Sequence, residues 1–149
     1  MVLPFVKAAK KSMDIEYYIK KGKENMQIPV VCKLLQTTYW ANDRSDEIIE
    51  KSMQKSDCFG AFCKKTDIQV GFARIVTDDA VFFWLCDVVV DEKYRGQGIG
   101  KMMMEAIKNE NKYKSMGGIL GTMDAHGLYE KYGFVRANEG VFMRKPKET

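Results

Sequence analysis

The chain has 149 residues, 46% hydrophobic and 30% charged, which is the size and composition of one globular domain rather than of a disordered protein. Its formal net charge is +4 at pH 7, and residues 1–23 carry the whole excess, with six lysines (Lys7, Lys10, Lys11, Lys20, Lys21 and Lys23) against Asp14 and Glu16. The remaining residues are electrically balanced, which disfavours a nucleic-acid partner and requires any anion site to be local.

The sequence indicates neither a membrane span nor a metal or disulfide framework. No apolar run approaches the roughly 18 residues that a transmembrane helix needs, and residues 1–7 lack the order of a secretory signal. We therefore expect a cytoplasmic protein without a membrane partner. A single histidine and the lack of a Cys-x-x-Cys pair argue against zinc, so we predict no metal and reduced, structural cysteines at positions 32, 58, 63 and 86.

The first third of the chain is predicted to form one strand and two helices. Residues 15–19 have a strand pattern. Pro29 suits the first turn of a helix that the apolar spacing extends to Trp40, and a second helix opens at residues 44–47. Because the chain has no linker or internal repeat, we predict a single domain over residues 1–149, with residues 1–12 as a flexible basic extension.

The middle of the chain is rich in predicted strands. Residues 58–63 and 69–76 read as a hairpin, because β-forming residues flank the turn-prone segment 65–67. Residues 80–90 are the most apolar stretch and are predicted to form a central strand covered on both faces. Asp87 is the only charge in that run, and since burying an unpaired charge is costly, it needs a partner or a function.

The last third begins with a helix from Ile99, whose apolar residues recur at helical spacing. A strand at 119–123, a short helix at 125–132 and two strands around residues 134–136 and 141–143 follow. The Met102–Met104 run is interpreted as core, with a subunit contact at Met104 as the alternative, so a homodimer stays open. The order β-α-α-β-β-β-α-β-α-β-β predicts an α/β fold with a mixed sheet.

The turn between the apolar strand and the helix from Ile99 is the first candidate binding site. We call residues Arg95-Gly96-Gln97-Gly98-Ile99-Gly100-Lys101 the glycine turn. Its glycines permit positive φ and close approach of a ligand to the main chain, and a helix N-terminus favours an anion. The spacing excludes a dinucleotide fingerprint and a Walker A loop, because residues 101 and 95 are not glycine. The glycine turn therefore predicts a phosphate cradle, with close helix–strand packing as the alternative.

Two segments together carry a resemblance to a known family. The pattern Arg-x-x-Gly-x-Gly from Arg95 to Gly100 follows Asp87-Val88-Val89-Val90, and Tyr129 lies further on in the segment Leu128–Phe134. In these motifs the chain resembles the GNAT superfamily of acetyl-CoA-dependent N-acetyltransferases. The resemblance implies an α/β (α+β) fold in which a mixed central sheet of about seven strands is flanked by about four helices, with strands 4 and 5 splayed apart.

The resemblance also implies a cosubstrate and a reaction. Acetyl-CoA would donate an acetyl group to a primary amine of a small molecule or a peptide. The coenzyme A pyrophosphate would bind main-chain N–H groups of Arg95, Gly96, Gln97, Gly98, Ile99, Gly100 and Lys101. The pantetheine arm would pair with the main chain of Val88 and Val90, and a main-chain N–H near Val89 would meet the developing oxyanion.

Three side chains are candidates for the proton transfers of this reaction. Tyr129 matches the family's general acid, which protonates the departing thiolate; packing on its helix is the alternative. Asp87 is the first candidate base, because burial can raise a carboxyl pKa, and a structural carboxylate bonded to an arginine is the alternative. His126 is the second candidate base, three residues before Tyr129; an exposed position at the helix start is its alternative.

The acceptor site is the part of the chain about which the sequence says least. The resemblance points to the loops near the first two helices, which makes Tyr39, Trp40 and Arg44 candidates for lining it. For Tyr39 and Trp40 the alternative is packing at a helix end. A non-catalytic acyl-CoA-sensing module and nucleic-acid binding through the lysine-rich start are the rival functions; balanced charge elsewhere disfavours the second.

Overall fold

A computed structural model describes residues 16–148 of the chain. The elements in chain order are β1 (Tyr17–Lys21), α1 (Ile28–Gln36), α2 (Asp46–Gln54), β2 (Asp57–Cys63), β3 (Gln69–Thr77), β4 (Phe82–Val90), α3 (Ile99–Asn109), α4 (Asn111–Lys114), β5 (Gly117–Ile119) and α5 (His126–Glu130), with short 3-10 turns at Lys23–Asn25 and Glu92–Tyr94. The predicted extension at residues 1–12 lies outside the described part, as does the first residue of the strand predicted at 15–19.

The first two helices lie on one face of the sheet, and their ends follow from local chemistry. Pro29 occupies the first turn of α1. The hydroxyls of Thr37 and Thr38 donate to the carbonyls of residues 34 and 35, both at 2.6 Å, which closes the last turn. The helix therefore ends at Gln36, not at Trp40 as predicted. Ser45 caps α2 by accepting from the N–H of residue 48.

The sheet has the order β1-β2-β3-β4-β5. The first three pairs are antiparallel, and β4 pairs with β5 in parallel. One apolar cluster packs α3 against the sheet, and a second packs α1 and α2 against the other face; we call these the α3 face and the α1/α2 face. Met103 and Met104 are both buried in the cluster of the α3 face, so the alternative of a subunit contact at Met104 is wrong.

β4 and β5 pair over three residues at one end. Phe82, Phe83 and Trp84 lie opposite residues 117–119, and β5 ends there while β4 continues to Val90. Within the part of the chain that the structure describes, residues 85–90 therefore have no partner strand on the β5 side. The predicted strand at 119–123 is shifted and shortened, because the hydroxyl of Thr122 accepts the N–H of residue 125 and turns the chain towards α5.

β4 is less covered than its composition predicts. Asp78 accepts the N–H groups of residues 80, 81 and 82, which holds a turn and delays the strand start to Phe82. Phe82 and Trp84 are 39% and 49% exposed, so the expectation of cover on both faces is wrong for the first half of the strand. The α1 and α2 helices cover the second half, where Val89 packs among their apolar side chains.

The last two predicted strands are wrong. Residues 134–136 and 141–143 are irregular, and the side chains of Val135, Val141, Phe142 and Met143 are mostly exposed. Alternating apolar residues form a strand only where a partner strand accepts their main-chain hydrogen bonds, and β5 offers just three residues. Over residues 16–148 the fold thus has five strands and five helices, a mixed α+β architecture, in place of about seven and about four.

The four cysteines are free thiols. Cys58 and Cys86 lie near the sheet's charged residues, and burial raises the pKa of each thiol to about 11. Both thiols are therefore protonated at neutral pH. Nucleophilic or metal chemistry would require the thiolate instead.

Candidate functional site

The glycine turn joins β4 to α3 at the end of the sheet. The Asp91 carboxylate caps the 3-10 turn Glu92–Tyr94 by accepting the N–H of residue 93 at 3.0 Å. Gly96 and Gly98 then have φ of 79° and 82°, in the left-handed region where glycine is favoured. Gly98 is the N-cap of α3, whose first main-chain bond runs from the N–H of Met102 to the Gly98 carbonyl. The N–H groups of residues 99–101 precede that first bond and have no acceptor within the helix.

The space beside these glycines shows whether they serve close packing of the helix against the strand. A Cβ at Gly96, Gly98 or Gly100 would meet no atom within 4 Å in the described structure. By contrast, a Cβ at Gly71 would lie 3.2–3.3 Å from side chains of the core, as expected of a packing glycine. Gly100 has neither a positive φ nor a close neighbour to explain it. The three glycines therefore leave room above the helix start, and close helix–strand packing does not account for them.

This open space is a groove of about 290 Å³. It is lined by Val90, Tyr94, Arg95, Gly96, Gly98, Ile99, Gly100, Lys101 and Leu128. The groove thus combines main-chain N–H groups at a helix N-terminus with two basic side chains, which is the chemistry that holds a phosphate. Leu128 comes from α5, so the groove is lined by residues of this helix as well as of the turn.

The second half of β4 runs towards this groove with one edge free of a partner strand. The N–H of Asp91 donates to the Val70 carbonyl at 2.8 Å and so faces β3. Because successive residues of a strand direct their main-chain groups to opposite sides, Val89 also faces β3, whereas Val88 and Val90 face the β5 side. The main-chain groups of Val88 and Val90 are thus the ones directed into the gap between the strands.

A β-bulge in β4 turns Asp87 onto the α1/α2 face. The pairing of β4 with β3 shifts register in this region, and Asp87 has φ of 54°, which is unusual for a residue other than glycine. The side chain is buried, and its oxygens accept from Arg44 Nη1 at 2.9 and 3.0 Å, Arg74 Nε at 2.8 Å and Trp40 Nε1 at 3.2 Å. We call these four residues the Asp87 cluster. It neutralises the buried carboxylate and fixes the loop after α1 to the sheet.

The structure brings together three of the predicted site residues, Trp40, Arg44 and Asp87. It adds Arg74, which the sequence analysis missed. A signal was present: Arg74 is the only charge in the predicted strand 69–76, just as Asp87 is in the run 80–90. Two lone opposite charges in neighbouring antiparallel strands indicate a buried pair. Tyr39 lies beside the cluster but is exposed, with its ring edge-on to Trp40 at 5.0 Å between centroids.

Tyr129 and His126 lie on α5, on the other side of the sheet. Tyr129 is half-buried against the cluster of the α3 face, with its ring edge-on to Phe134. Burial and, to a lesser degree, the Asp124 carboxylate raise the pKa of the Tyr129 phenol, so it keeps its proton at neutral pH. His126 is the half-buried first residue of α5. Tyr129 and Asp87 thus belong to opposite faces of the sheet and do not contact each other.

Comparison with known proteins identifies the family. Residues 54–136, more than half of the chain, match the family model for the acetyltransferase (GNAT) domain. A crystal structure of a protein from Xanthomonas campestris pv. campestris assigned to the GNAT family superimposes with a TM-score of 0.80, at 30% identity over 87% of this chain and 93% of that one. The chain belongs to the GNAT acetyltransferase family, a family of acyltransferases.

Two curated relatives are also named N-acetyltransferases, and both are longer than this chain. The chain is 32% identical over 79 residues to uncharacterized N-acetyltransferase ycf52 of Gracilaria tenuistipitata var. liui, covering 52% of this chain and 43% of that protein. It is 32% identical over 74 residues to GCN5-related N-acetyltransferase 2, chloroplastic, of Arabidopsis thaliana, covering 48% of this chain and 29% of that protein. The chain thus spans less than half the length of both relatives.

The helices and the acidic, histidine and cysteine side chains of the described residues bear on two other classes of protein, membrane proteins and metalloproteins. None of the helices between residues 16 and 148 has the length and apolar character needed to cross a membrane. Within the same residues, His, Cys, Asp and Glu side chains form no group of three that could hold a metal ion.

Proposed function

We propose that this protein transfers an acetyl group from acetyl-CoA to a primary amine of a small molecule or a peptide. The observation that carries the proposal is the open space over Gly96, Gly98 and Gly100 at the start of α3. A glycine inside a helix, such as Gly100 in α3, lowers the stability of that helix, and no packing contact requires it here. Such a glycine is expected where a ligand lies against the main chain. Family membership supports acetyl transfer in general.

The groove and the free edge of β4 account for the parts of coenzyme A. The N–H groups of the glycine turn, with the side chains of Arg95 and Lys101, would hold the pyrophosphate. The main-chain groups of Val88 and Val90 face the β5 side, where a pantetheine arm can pair with them as another strand would. Acetyl-CoA supplies the activated acyl group as a thioester, and the gap between β4 and β5 would receive it.

The proposed chemistry forms a C–N bond and breaks the C–S bond of the thioester. Tyr129, whose raised pKa keeps the phenol protonated at neutral pH, is the proposed donor of a proton to the departing sulfur. The N–H of Val88, rather than that of Val89, faces the gap and is the proposed donor to the developing oxyanion. The amine must lose a proton in the same reaction, so a base or a water relay is required.

The geometry gives the two candidate bases, Asp87 and His126, different roles. Asp87 accepts hydrogen bonds from three side chains, which supports its alternative as a structural carboxylate that holds Arg44 and Trp40 in place. We therefore propose Asp87 as a positioning residue and His126 as the remaining base. His126→Gln should lower kcat without changing acetyl-CoA affinity, because the variant lacks the group that takes the amine proton. Unchanged kcat in the variant would remove His126 from this role.

The proposed acceptor lies against the α1/α2 face. Trp40, Tyr39 and the half-exposed Trp84 of β4 offer aromatic surface there. Two guanidinium groups of the Asp87 cluster face one carboxylate, which leaves an excess positive charge. Such a surface suits an amine attached to an apolar or aromatic group and disfavours a polyamine, because like charges repel.

Binding and turnover test the proposal separately. Acetyl-CoA at 100 times its dissociation constant should add about 2.7 kcal/mol to the free energy of unfolding, seen as a rise in Tm. Release of free thiol from acetyl-CoA is then followed with a panel of amines that includes phenylethylamine and spermidine. No thermal shift at saturating acetyl-CoA would overturn the proposal. Binding without turnover of any amine would favour the acyl-CoA-sensing alternative.

A further inference from the structure

Tyr17 connects the far edge of the sheet to the glycine turn. It lies in β1, at the opposite edge of the sheet from β5, and is only 6% exposed. Its hydroxyl donates to Gln97 Oε1 at 2.5 Å, across 80 positions of the chain. The Tyr17 ring also packs edge-on against Tyr94, with ring centroids 6.2 Å apart, just before the turn.

Gln97 is well placed to control the shape of the turn. It lies between Gly96 and Gly98, both in the left-handed region. Glycines allow a turn to adopt such angles, but they also allow the ligand-free turn to adopt other conformations. Binding then costs entropy, because the turn must be restricted to one conformation. Gln97 is the single residue between the two glycines. Its side chain accepts a hydrogen bond from Tyr17, and this contact anchors the middle of the turn to the sheet.

Other contacts hold the ends of the turn. Arg95 Nε, at the first residue of the turn, donates to the Val90 carbonyl at 3.1 Å, and the Tyr132 hydroxyl donates to the carbonyl of Lys101, the last residue, at 3.2 Å. Neither contact reaches the segment 96–98, of which Gly96 and Gly98 line the groove. Burial raises the pKa of the Tyr17 phenol, so the group remains a donor at neutral pH.

We infer that Tyr17 is a positioning residue that, through Gln97, holds the main-chain N–H groups of the glycine turn in the arrangement that binds the pyrophosphate. The inference rests on the proposed function, since it assigns a residue to the same coenzyme site. Tyr17 does not touch the coenzyme in this arrangement. It acts by removing conformations of the free turn that cannot bind.

Tyr17→Phe removes the hydroxyl and keeps the ring. We expect acetyl-CoA affinity, and with it KM for acetyl-CoA, to weaken about threefold to tenfold, the effect of one lost hydrogen bond, while kcat at saturation is unchanged. Tyr18→Phe is the matched control: the neighbouring tyrosine donates to Asp67 Oδ1 at 2.7 Å, away from the turn, so its loss should leave affinity unchanged.

A double-mutant cycle separates positioning from a merely structural role. Gln97→Met has similar length but no acceptor oxygen, and it should weaken acetyl-CoA binding by as much as Tyr17→Phe, with no further loss in the double variant. Additive losses, or a lower Tm with unchanged affinity in Tyr17→Phe, would overturn the inference. If Tyr17→Phe does not fold, Gln97→Met with unchanged affinity has the same consequence. Failure of the wild type to bind acetyl-CoA would instead overturn the proposed function.

Discussion

At the scale of single residues, Gly100 separates the needs of the fold from those of the ligand. It lies in the first turn of α3, and a Cβ there would meet no atom within 4 Å. Because alanine is a better helix former, Gly100→Ala should raise the free energy of unfolding of the coenzyme-free protein by about 0.5–1 kcal/mol. The same methyl group should weaken acetyl-CoA binding, because it occupies the open space of the groove.

Chemical denaturation without ligand and calorimetric titration with acetyl-CoA measure the two effects of Gly100→Ala. Gly98→Ala is the control, since Gly98 has φ of 82° and alanine there should destabilise the protein by about 1 kcal/mol. A Gly100→Ala protein that binds acetyl-CoA as tightly as the wild type would show that the ligand does not lie against this turn.

The proposed role of Tyr129 as the general acid can also be tested with a single substitution. Tyr129→Phe keeps the ring that packs against Phe134 and removes the proposed proton donor. We expect kcat to fall about a hundredfold or more with acetyl-CoA affinity preserved. Because the pKa of the phenol is raised above its ordinary value, wild-type turnover should not lose this acid at any pH up to about 10. Steady-state kinetics from pH 6 to 10 check both points, and unchanged kcat in the variant would remove Tyr129 from the mechanism.

At the scale of elements, the bulge in β4 decides which face Asp87 occupies. The extra residue reverses the alternation of the strand, so that Asp87 meets Arg44 and Arg74 on the α1/α2 face. Arg74→Leu removes one partner of a buried carboxylate and should lower the free energy of unfolding by about 3 kcal/mol. Urea denaturation measures this change. Lys145→Ala, which removes an exposed i,i+3 ion pair with Glu148, should change stability by less than about 0.5 kcal/mol.

Comparing Asp87→Asn with Arg74→Leu separates a positioning role of Asp87 from a catalytic one. If Asp87 only positions Arg44 and Trp40, Asp87→Asn and Arg74→Leu should lower kcat by similar factors. A loss of kcat in Asp87→Asn that greatly exceeds the loss in Arg74→Leu would instead restore Asp87 as the base.

Helix α4 is attached to the sheet by a second buried tyrosine. Tyr113 donates to Asp57 Oδ2 at 2.5 Å, and burial is the main cause of the raised pKa of its phenol. A raised pKa means that the folded state holds this proton more tightly than the unfolded state. Its contribution is therefore complete below about pH 10 and is lost as pH rises further. We expect the wild type to lose more stability than Tyr113→Phe between pH 9 and 11 in urea denaturation, with exposed Tyr39→Phe as the control; equal losses would contradict this.

At the scale of the whole molecule, the net charge has a local explanation. Three of the lysines in residues 1–23 lie in the described part, and each has a contact. Lys21 pairs with Glu110 at 2.6 Å, Lys23 donates to the Gln54 carbonyl, and Lys20 lies over the rings of Tyr18 and Phe62. These contacts hold β1 against its neighbours. The charges of Lys20, Lys21 and Lys23 thus take part in contacts of the fold and are separate from Arg95 and Lys101 of the groove.

The exposed residues near the end of the chain give a test of the overall architecture. Phe142 is 61% exposed and Met143 is 99% exposed. Phe142→Ser should therefore change the free energy of unfolding by less than about 0.5 kcal/mol, whereas Phe72→Ala in the core should cost about 3–5 kcal/mol. Thermal and urea unfolding compare the two variants. A large loss in Phe142→Ser would mean that residues 141–143 form the strand that their pattern predicts.

The sequence by itself determined the local features of this protein. The order of elements as far as α3 follows from hydrophobic periodicity and turn residues, and the glycine turn with Tyr129 identifies the family, because such motifs depend on neighbouring residues. Errors lie where short-range hydrogen bonds stop an element, as Thr37 and Thr38 do after α1, or where a strand needs a distant partner, as at residues 134–143.

Only the tertiary structure decided which distant side chains meet. Arg74 and Asp87 come together because two antiparallel strands pair with a bulge between them, and Tyr17 reaches Gln97 across 80 positions because the sheet and α3 bring them together. Sequence periodicity gives the face of an element, but the register of pairing sets which residues are in contact. The glycine turn could thus be predicted from seven consecutive residues, whereas the contacts that support it required the packed sheet.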